Sequence, residues 1–240
     1  MEYIKKWIEK LDELQPDPTD IEPKLTAMPG VKAVIFDIYG TLLISASGDI
    51  DQASISADNL KTALLESGYE LLNHQSSESE NLQFLLGQFV DVIRQHHMKH
   101  RDAGRLYPEV DIRLVWEDMI DMALKKKMIG KTRNSNPDKL TFIFELLSNK
   151  VHPMPGMKDI LQQLNKNEYH LGIISNAQFY TPVLMNFFLT GKVEEKETVK
   201  YFDPALTVFS FIQLNAKPDL TLFKPVLKTL KEKYGVLPEQ

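Results

Sequence analysis

Two kinds of hydrophobic pattern divide the chain. Short, nearly unbroken apolar runs occur three times: Val31-Lys32-Ala33-Val34-Ile35-Phe36-Asp37, His170-Leu171-Gly172-Ile173-Ile174-Ser175, and Ala205-Leu206-Thr207-Val208-Phe209-Ser210-Phe211. Such runs suit strands buried on both faces of a parallel sheet, although periodicity alone does not prove a strand. Helical spacing separates the later runs. Met157 to Leu164 sets Ile160, Leu161 and Leu164 on one face, and Asn186-Phe187-Phe188 predicts a helix packed on the sheet. Leu220 to Tyr234 repeats the pattern with Leu222, Phe223, Val226, Leu227 and Leu230. Strands alternating with helices predict an α/β fold, a parallel sheet sandwiched by helices with right-handed crossovers.

Between the first and second runs the pattern changes. Residues 57–67, 82–100, 110–128 and 138–148 show helical spacing, broken by polar stretches at 74–81 and 131–137. This predicts an all-helical subdomain over 47–148, inserted into a discontinuous α/β core of 1–46 and 149–240. At the amino terminus Ile4, Trp7, Ile8, Leu11 and Leu14 predict an amphipathic helix over 2–15 that docks on its own core. Residues 16–30 carry four prolines and read as an irregular connector.

Composition narrows the function classes. The 240 residues suffice for one large domain or a core with an insertion, and contain no cysteine, so disulfide scaffolds and thiolate zinc sites are excluded. A net charge of −5 is of the wrong sign for nucleic acid. Charges at Glu2, Lys5, Lys6, Glu9 and Lys10 interrupt any signal peptide, and no run approaches the ~18 apolar residues of a membrane span. The expectation is a cytoplasmic protein with a small-molecule substrate, no nucleic-acid or membrane partner, and a dimer among its possible states.

Ligands of open parallel sheets gather beyond the carboxyl ends of the strands. There the chain places Asp37, in Asp37-Ile38-Tyr39-Gly40-Thr41-Leu42; Ser175-Asn176; and Lys217, in Lys217-Pro218-Asp219. A carboxylate, a hydroxyl and an ammonium on one edge suit a nucleophile and its anion cradle. Each alone has a plainer use: Asp37 as a turn cap, Ser175 as a helix N-cap, Lys217 as a solvated loop residue. The turn from Ile38 to Thr41, with Gly40 for a sharp bend, suits a nest of backbone N–H groups.

In this order, the three motifs resemble the haloacid dehalogenase (HAD) superfamily over nearly the whole chain, and the helical insertion looks like its C1-type cap. The resemblance implies a Rossmann-like core and a hydrolase. Asp37 would be the nucleophile forming a covalent aspartyl intermediate, Ser175 a hydrogen-bond donor to the transferring group, and Lys217 the neutralising cation. Tyr39, Gly40, Thr41 and Asn176 would border the substrate. In phosphatase members Mg²⁺ would bind the Asp37 carboxylate, the Tyr39 backbone carbonyl and a later acid; hard oxygen ligands suit that ion. Phosphoryl transfer needs mainly positioning and charge compensation, which agrees with these roles.

Three departures shape the expected chemistry. Tyr39 stands where phosphatase members usually place a second Asp, and a phenol of pKa about 10 is a poor base at neutral pH. Tyrosine there resembles the 2-haloacid dehalogenases. Against that reading, no arginine occurs between Asp37 and Arg94, Lys61 is the only lysine there, and Phe223 takes the place of a tyrosine six residues after Lys217. After Lys228 to Tyr234 the chain stops at Gln240, where the resemblance implies a further strand bearing acids. The expectations are therefore a phosphatase, a dehalogenase-like hydrolase, or a truncated or non-catalytic relative with an exposed first-strand edge. Asp203 and Asp219 are the nearest spare carboxylates.

Weaker signals have bland readings. His96, His97 and His100 suggest a solvated basic helix face more than a metal pair. Lys125-Lys126-Lys127 suits a helix end, and Met119, Met122 and Met128 suit core filling.

Overall fold

The computed structural model describes every residue except 1, 25, 27, 47–54, 73–76, 195 and 238–240. The sheet at its centre has three parallel strands: β1 (Ala33–Phe36), β6 (His170–Ser175) and β7 (Thr207–Phe209), in the order β1-β6-β7. All three predicted strands form. β7 is shorter than its apolar run, because Pro204–Leu206 is a 3-10 turn capped by Asp203 and Ser210–Gln213 already begins a short helix, α8.

Helices cover both faces of the sheet. α6 (Met157–Lys166) and α7 (Tyr180–Thr190) bury Met157, Leu161, Met185 and Leu189 with Leu171 and Ile173. α9 (Lys224–Tyr234) buries Val226 and Leu230 with Ile174, Leu206 and Val208 on the other side. Ile160 and Leu227, predicted to face inward, are exposed. Each α6 and α9 helix buries a stripe narrower than its apolar pattern, since a three-stranded sheet offers little width to cover.

Gly172 shows how closely the layers meet. A Cβ there would lie 2.4 Å from the Leu206 carbonyl oxygen and 2.7 Å from Ile35 Cδ1. The Gly172→Ala variant should lose about 2 kcal/mol of stability, read as a lowered urea midpoint with an unchanged slope; an unshifted midpoint would refute the close approach.

The segment between β1 and β6 contains α2 (Ala57–Glu66), α3 (Glu78–Asp102), α4 (Ile112–Lys125) and α5 (Pro137–Ser148). These match the four predicted helices. α3 opens with a reciprocal cap, Ser77 accepting from the Glu80 N–H while Glu80 accepts from the Ser77 N–H at 2.8 Å. Phe89, Trp116 and Phe144 pack together with ring centroids 4.7 to 5.4 Å apart. The segment is not all-helical, however: β3 (Tyr69–Leu71) pairs antiparallel with β4 (Ile129–Lys131). Strands of three residues carry too few alternations to be legible in a sequence. A second antiparallel pair, β2 (Leu43–Ser45) with β5 (Val151–Pro153), joins the chain on its way into and out of the helical segment. The polar break at 74–81 and the boundary at residue 47 lie partly outside the described residues.

The predicted helix over 2–15 is only α1, Glu2–Ile8. A single short helix depends on tertiary contacts: Ile4, Trp7 and Ile8 are buried, Tyr3 meets Phe142 of α5 edge-on at 6.2 Å, and Leu11, beyond the helix, packs half-buried against the same cluster. α1 therefore packs on the helical segment, in one apolar cluster with Leu60, Leu140 and Val183. The described residues of 16–30 have no helix or strand.

β1 is an edge strand. Among the described residues nothing pairs with its outer side, and all four of its residues are only half-buried. No helix among the described residues is long and apolar enough to cross a membrane.

Candidate active site

Asp37 directly follows β1, at the carboxyl edge of the sheet. Its Oδ1 accepts the N–H of Ile38 at 2.8 Å, and its Oδ2 lies 2.5 Å from Lys217 Nζ. The loop bearing Lys217 is held by the second strand's terminus, since Asn176 Oδ1 accepts the Lys217 N–H at 2.7 Å. Three of the residues singled out from sequence thus converge, from three separate strand ends. The Asp37 side chain remains 40% exposed, so the carboxylate is open to a substrate.

Ser175 is fully buried, and its Oγ makes only a 3.5 Å contact with the Asn176 carbonyl. Gly40 has φ +76°, the bend expected of it, with open space where a Cβ would stand. The nest reading of this turn needs correction. Ile38 N–H serves Asp37, Gly40 N–H donates to Leu43 O at 2.8 Å, and Thr41 N–H donates to Ile38 O at 3.1 Å. A tight turn closes on itself and spends these donors internally.

Tyr39 points into the junction between β1 and α7, where its hydroxyl lies 2.7 Å from Thr181 Oγ1. Burial, helped by the charges of Glu145 and Asp37, pushes the phenol up to about 12. Burial holds Tyr180 well above the usual phenol range, with Tyr39, Glu145 and Glu109 adding to the rise. Glu145 completes the group from α5: Trp116 Nε1 donates to it at 3.4 Å, and burial raises its carboxyl to about 7, with Trp116 and Tyr180 opposing the rise. None of Glu145, Tyr180 or Thr181 stood out in the sequence. One signal was there: Glu145 is the only acid in the apolar run Leu140-Thr141-Phe142-Ile143-Phe144-Glu145-Leu146-Leu147.

The stretch between α3 and α4 braces the Lys217 loop. Ala216 N–H donates to Tyr107 O at 2.8 Å, Glu109 N–H donates to Leu214 O at 3.3 Å, and Arg105 Nη1 donates to Gln213 O at 2.5 Å. The Glu109 carboxylate accepts from Ser210 Oγ at 2.9 Å, and Ser210 in turn accepts the Ala177 N–H. Gln178 ties the same stretch from the β6 side, donating to Val110 O at 2.8 Å and accepting the Ile112 N–H at 3.0 Å.

These residues do not make up the Mg²⁺ site that the resemblance implies. The ion wants about six oxygens, whereas both Asp37 oxygens already have partners and no group of three or more His, Asp or Glu among the described residues could hold a metal. Asp203 and Asp219 are used elsewhere. Asp203 caps the Ala205 N–H, and also bonds Tyr234 and Lys233; Asp219 accepts the Thr221 N–H at 2.8 Å. The α3 histidines are also drawn into structure: His96 Nε2 meets Asp118 of α4 at 2.9 Å with its side chain 14% exposed, and His100 Nδ1 meets Glu109 O at 2.7 Å. His96 is thus an interhelical contact and not a solvated face.

No protein-family model and no curated protein matches the sequence. Solved structures similar to it over most of its length include dehalogenases and a predicted phosphatase at low identity. The L-2-haloacid dehalogenase of Xanthobacter autotrophicus is 16% identical, with 87% of this chain and 66% of that one covered and a TM-score of 0.35. A predicted phosphoglycolate phosphatase of Haemophilus somnus 129PT is 21% identical, with 89% and 76% covered and a TM-score of 0.37. A dehalogenase with an intermediate complex is 14% identical, with 89% and 75% covered and a TM-score of 0.38. Likeness this distant says nothing of what the chain does; its chemistry rests on its own residues.

Proposed function

We propose that the chain is a hydrolase working through a covalent intermediate on Asp37, with a small phosphate monoester as substrate. The observation that carries this reading is the ion pair of Asp37 with Lys217, 2.5 Å apart at the sheet's carboxyl edge, with the carboxylate still open to solvent. Asp37 attacks phosphorus, the ester oxygen leaves, and water then hydrolyses the aspartyl phosphate. Lys217 aligns the nucleophile and offsets the negative charge gathering around it. Asn176 holds the Lys217 loop in place, Ser175 lies buried behind it at the end of the same strand, and Tyr39, Gly40 and Thr41 border the substrate from the β1 side. In this reading residues 47–148 act as a cap over a core of 1–46 and 149–240, in a cytoplasmic enzyme of small metabolites.

A second reading is a 2-haloacid dehalogenase. It is favoured by Tyr39, whose hydroxyl is buried against Thr181 and held near 12, because a departing halide needs no proton. Assay of the wild-type protein separates the two. Phosphate release from 4-nitrophenyl phosphate, with Mg²⁺ and with chelator, is the expected result, and Lys217→Met should cut it about 100-fold. Halide release from 2-chloropropionate without phosphatase activity would replace the first reading by the second, and neither activity would retire both.

A further inference from the structure

The central sheet has two edges, and they differ. β7, at one of them, is covered: Val208 and Phe209 are buried although β7 has only one neighbour. β1, at the other, leaves Ala33, Val34, Ile35 and Phe36 all half-buried, with no partner among the described residues on its outer side. Its side chains divide between the two helical layers, Val34 and Phe36 with the α6 and α7 cluster, Ala33 and Ile35 with the α9 cluster. Its backbone divides as well. His170 N–H donates to Lys32 O at 3.0 Å, so the even-numbered residues of β1 turn their N–H and C=O toward β6, and those of Ala33 and Ile35 turn outward. The edge has none of the usual guards, since Ala33 to Phe36 carry no proline, charge or bulge.

We propose that β1 is a dimer interface, at which a second copy of this chain lays its own β1 antiparallel and joins the two sheets edge to edge. What selects a second copy is that the edge is complementary to itself. A two-fold axis normal to the sheet makes the strands antiparallel and keeps each helical layer on its own side, so odd residues face odd residues across the seam and even face even. With Val34 on the axis, Ala33 of each copy faces Ile35 of the other, and each pair exchanges both of its N–H···O bonds. Every outward N–H and C=O of β1 then has a partner, and Val34 faces Val34 as the non-hydrogen-bonded pair between them. An axis through Ala33 would set Ile35 against Val31, and one through Ile35 would set Ala33 against Asp37, both outside the strand. Only Val34 keeps all the outward groups inside β1. The wider sheet also extends the surface under α6 and α9, whose Ile160 and Leu227 the three-stranded sheet leaves exposed. The two Asp37 residues come to lie near opposite ends of the seam, about 20 Å apart along the strands, so the dimer is independent of the hydrolase reading.

Sedimentation equilibrium of the wild-type chain should give twice the 27.5 kDa of one copy. A single-copy mass at concentrations up to about 100 μM overturns the proposal. Val34→Cys tests the register, in a chain with no cysteine of its own. Its Cα should stand about 4.5 Å from that of the second copy, within disulfide range. Mild oxidation should therefore yield a covalent dimer that a thiol reductant reverses. Ala33→Cys and Ile35→Cys, each about 7–8 Å from its own counterpart, should stay uncrosslinked. No crosslink at Val34→Cys, or equal crosslinking at all three positions, overturns this seam even where the protein is a dimer. Ala33→Pro removes an outward N–H that the sheet does not use, and proline is tolerated at the first residue of a strand. It should weaken dimerisation about 30-fold or more with an unchanged circular dichroism spectrum, and it decides the matter if Val34→Cys fails to fold. A dimer that Ala33→Pro leaves as tight as wild type overturns the proposal.

Discussion

Asp37→Asn is expected to lower phosphate release by roughly 10⁴-fold or more without unfolding the protein. A carboxamide is nearly the same size, and its oxygen can still accept the Ile38 N–H that Asp37 holds at 2.8 Å. It has no anionic oxygen to attack phosphorus, so the chemical step loses its nucleophile. The lost attraction to Lys217 should matter little for stability, because the Asp37 side chain is 40% exposed and such pairs contribute about 1 kcal/mol or less. Phosphate release and urea unfolding, measured on one preparation, separate these effects. Turnover within tenfold of wild type would remove Asp37 from the mechanism, and a collapsed unfolding midpoint would assign the loss to folding.

The second large effect is on stability and comes from Glu145. Burial raises its carboxyl from 4.5 to about 7, so the folded chain keeps a proton that the unfolded chain has released. The folded state binds more protons in this window, so stability falls as pH rises. The contribution is fully present below about pH 4.5 and is lost as pH climbs through about 7, amounting to about 3 kcal/mol. Glu145→Gln keeps the shape and a carbonyl acceptor for Trp116 but cannot ionise. The stability of wild type relative to Glu145→Gln should therefore decline by about 3 kcal/mol between about pH 4.5 and above pH 8. Urea unfolding of both proteins across that range measures it. A difference that stays flat with pH would show that Glu145 is not held in a water-poor junction. The result needs burial alone and no substrate.

Much of the fold was legible because its signals are local. The three apolar runs became the three parallel strands, and the helical spacings between 57 and 148 became α2 to α5. The errors fall where local pattern underdetermines packing. Ile160 and Leu227 have the spacing of buried residues, yet face solvent because a three-stranded sheet covers only a narrow stripe of each helix. β3 and β4 form because α2 and α4 bring their ends side by side, a reason no three-residue window contains. The amino-terminal helix stops at Ile8, although apolar residues continue at helical spacing to Leu14 and Leu11 still packs on the same cluster.

For the site, the identities and order of Asp37, Ser175, Asn176 and Lys217 were written in the chain, since strand ends and loop residues follow from the apolar runs that flank them. Their spacing in space was not. That Lys217 meets Asp37 while Ser175 stays buried depends on how β7, its following loop and the stretch before α4 are braced, through Glu109, Ser210 and Gln178. The nest expected of Ile38 to Thr41 failed for the same reason: a sequence shows which N–H groups a turn has, but only its closure shows which are spent. Glu145 is the clearest case. In the chain it is one acid on an amphipathic helix; in the fold Trp116, Tyr180 and Tyr39, from three distant segments, exclude water from it and raise its proton affinity. Residue type and periodicity act over a few neighbours along the chain, whereas desolvation and charge coupling depend on everything within a few ångströms in space.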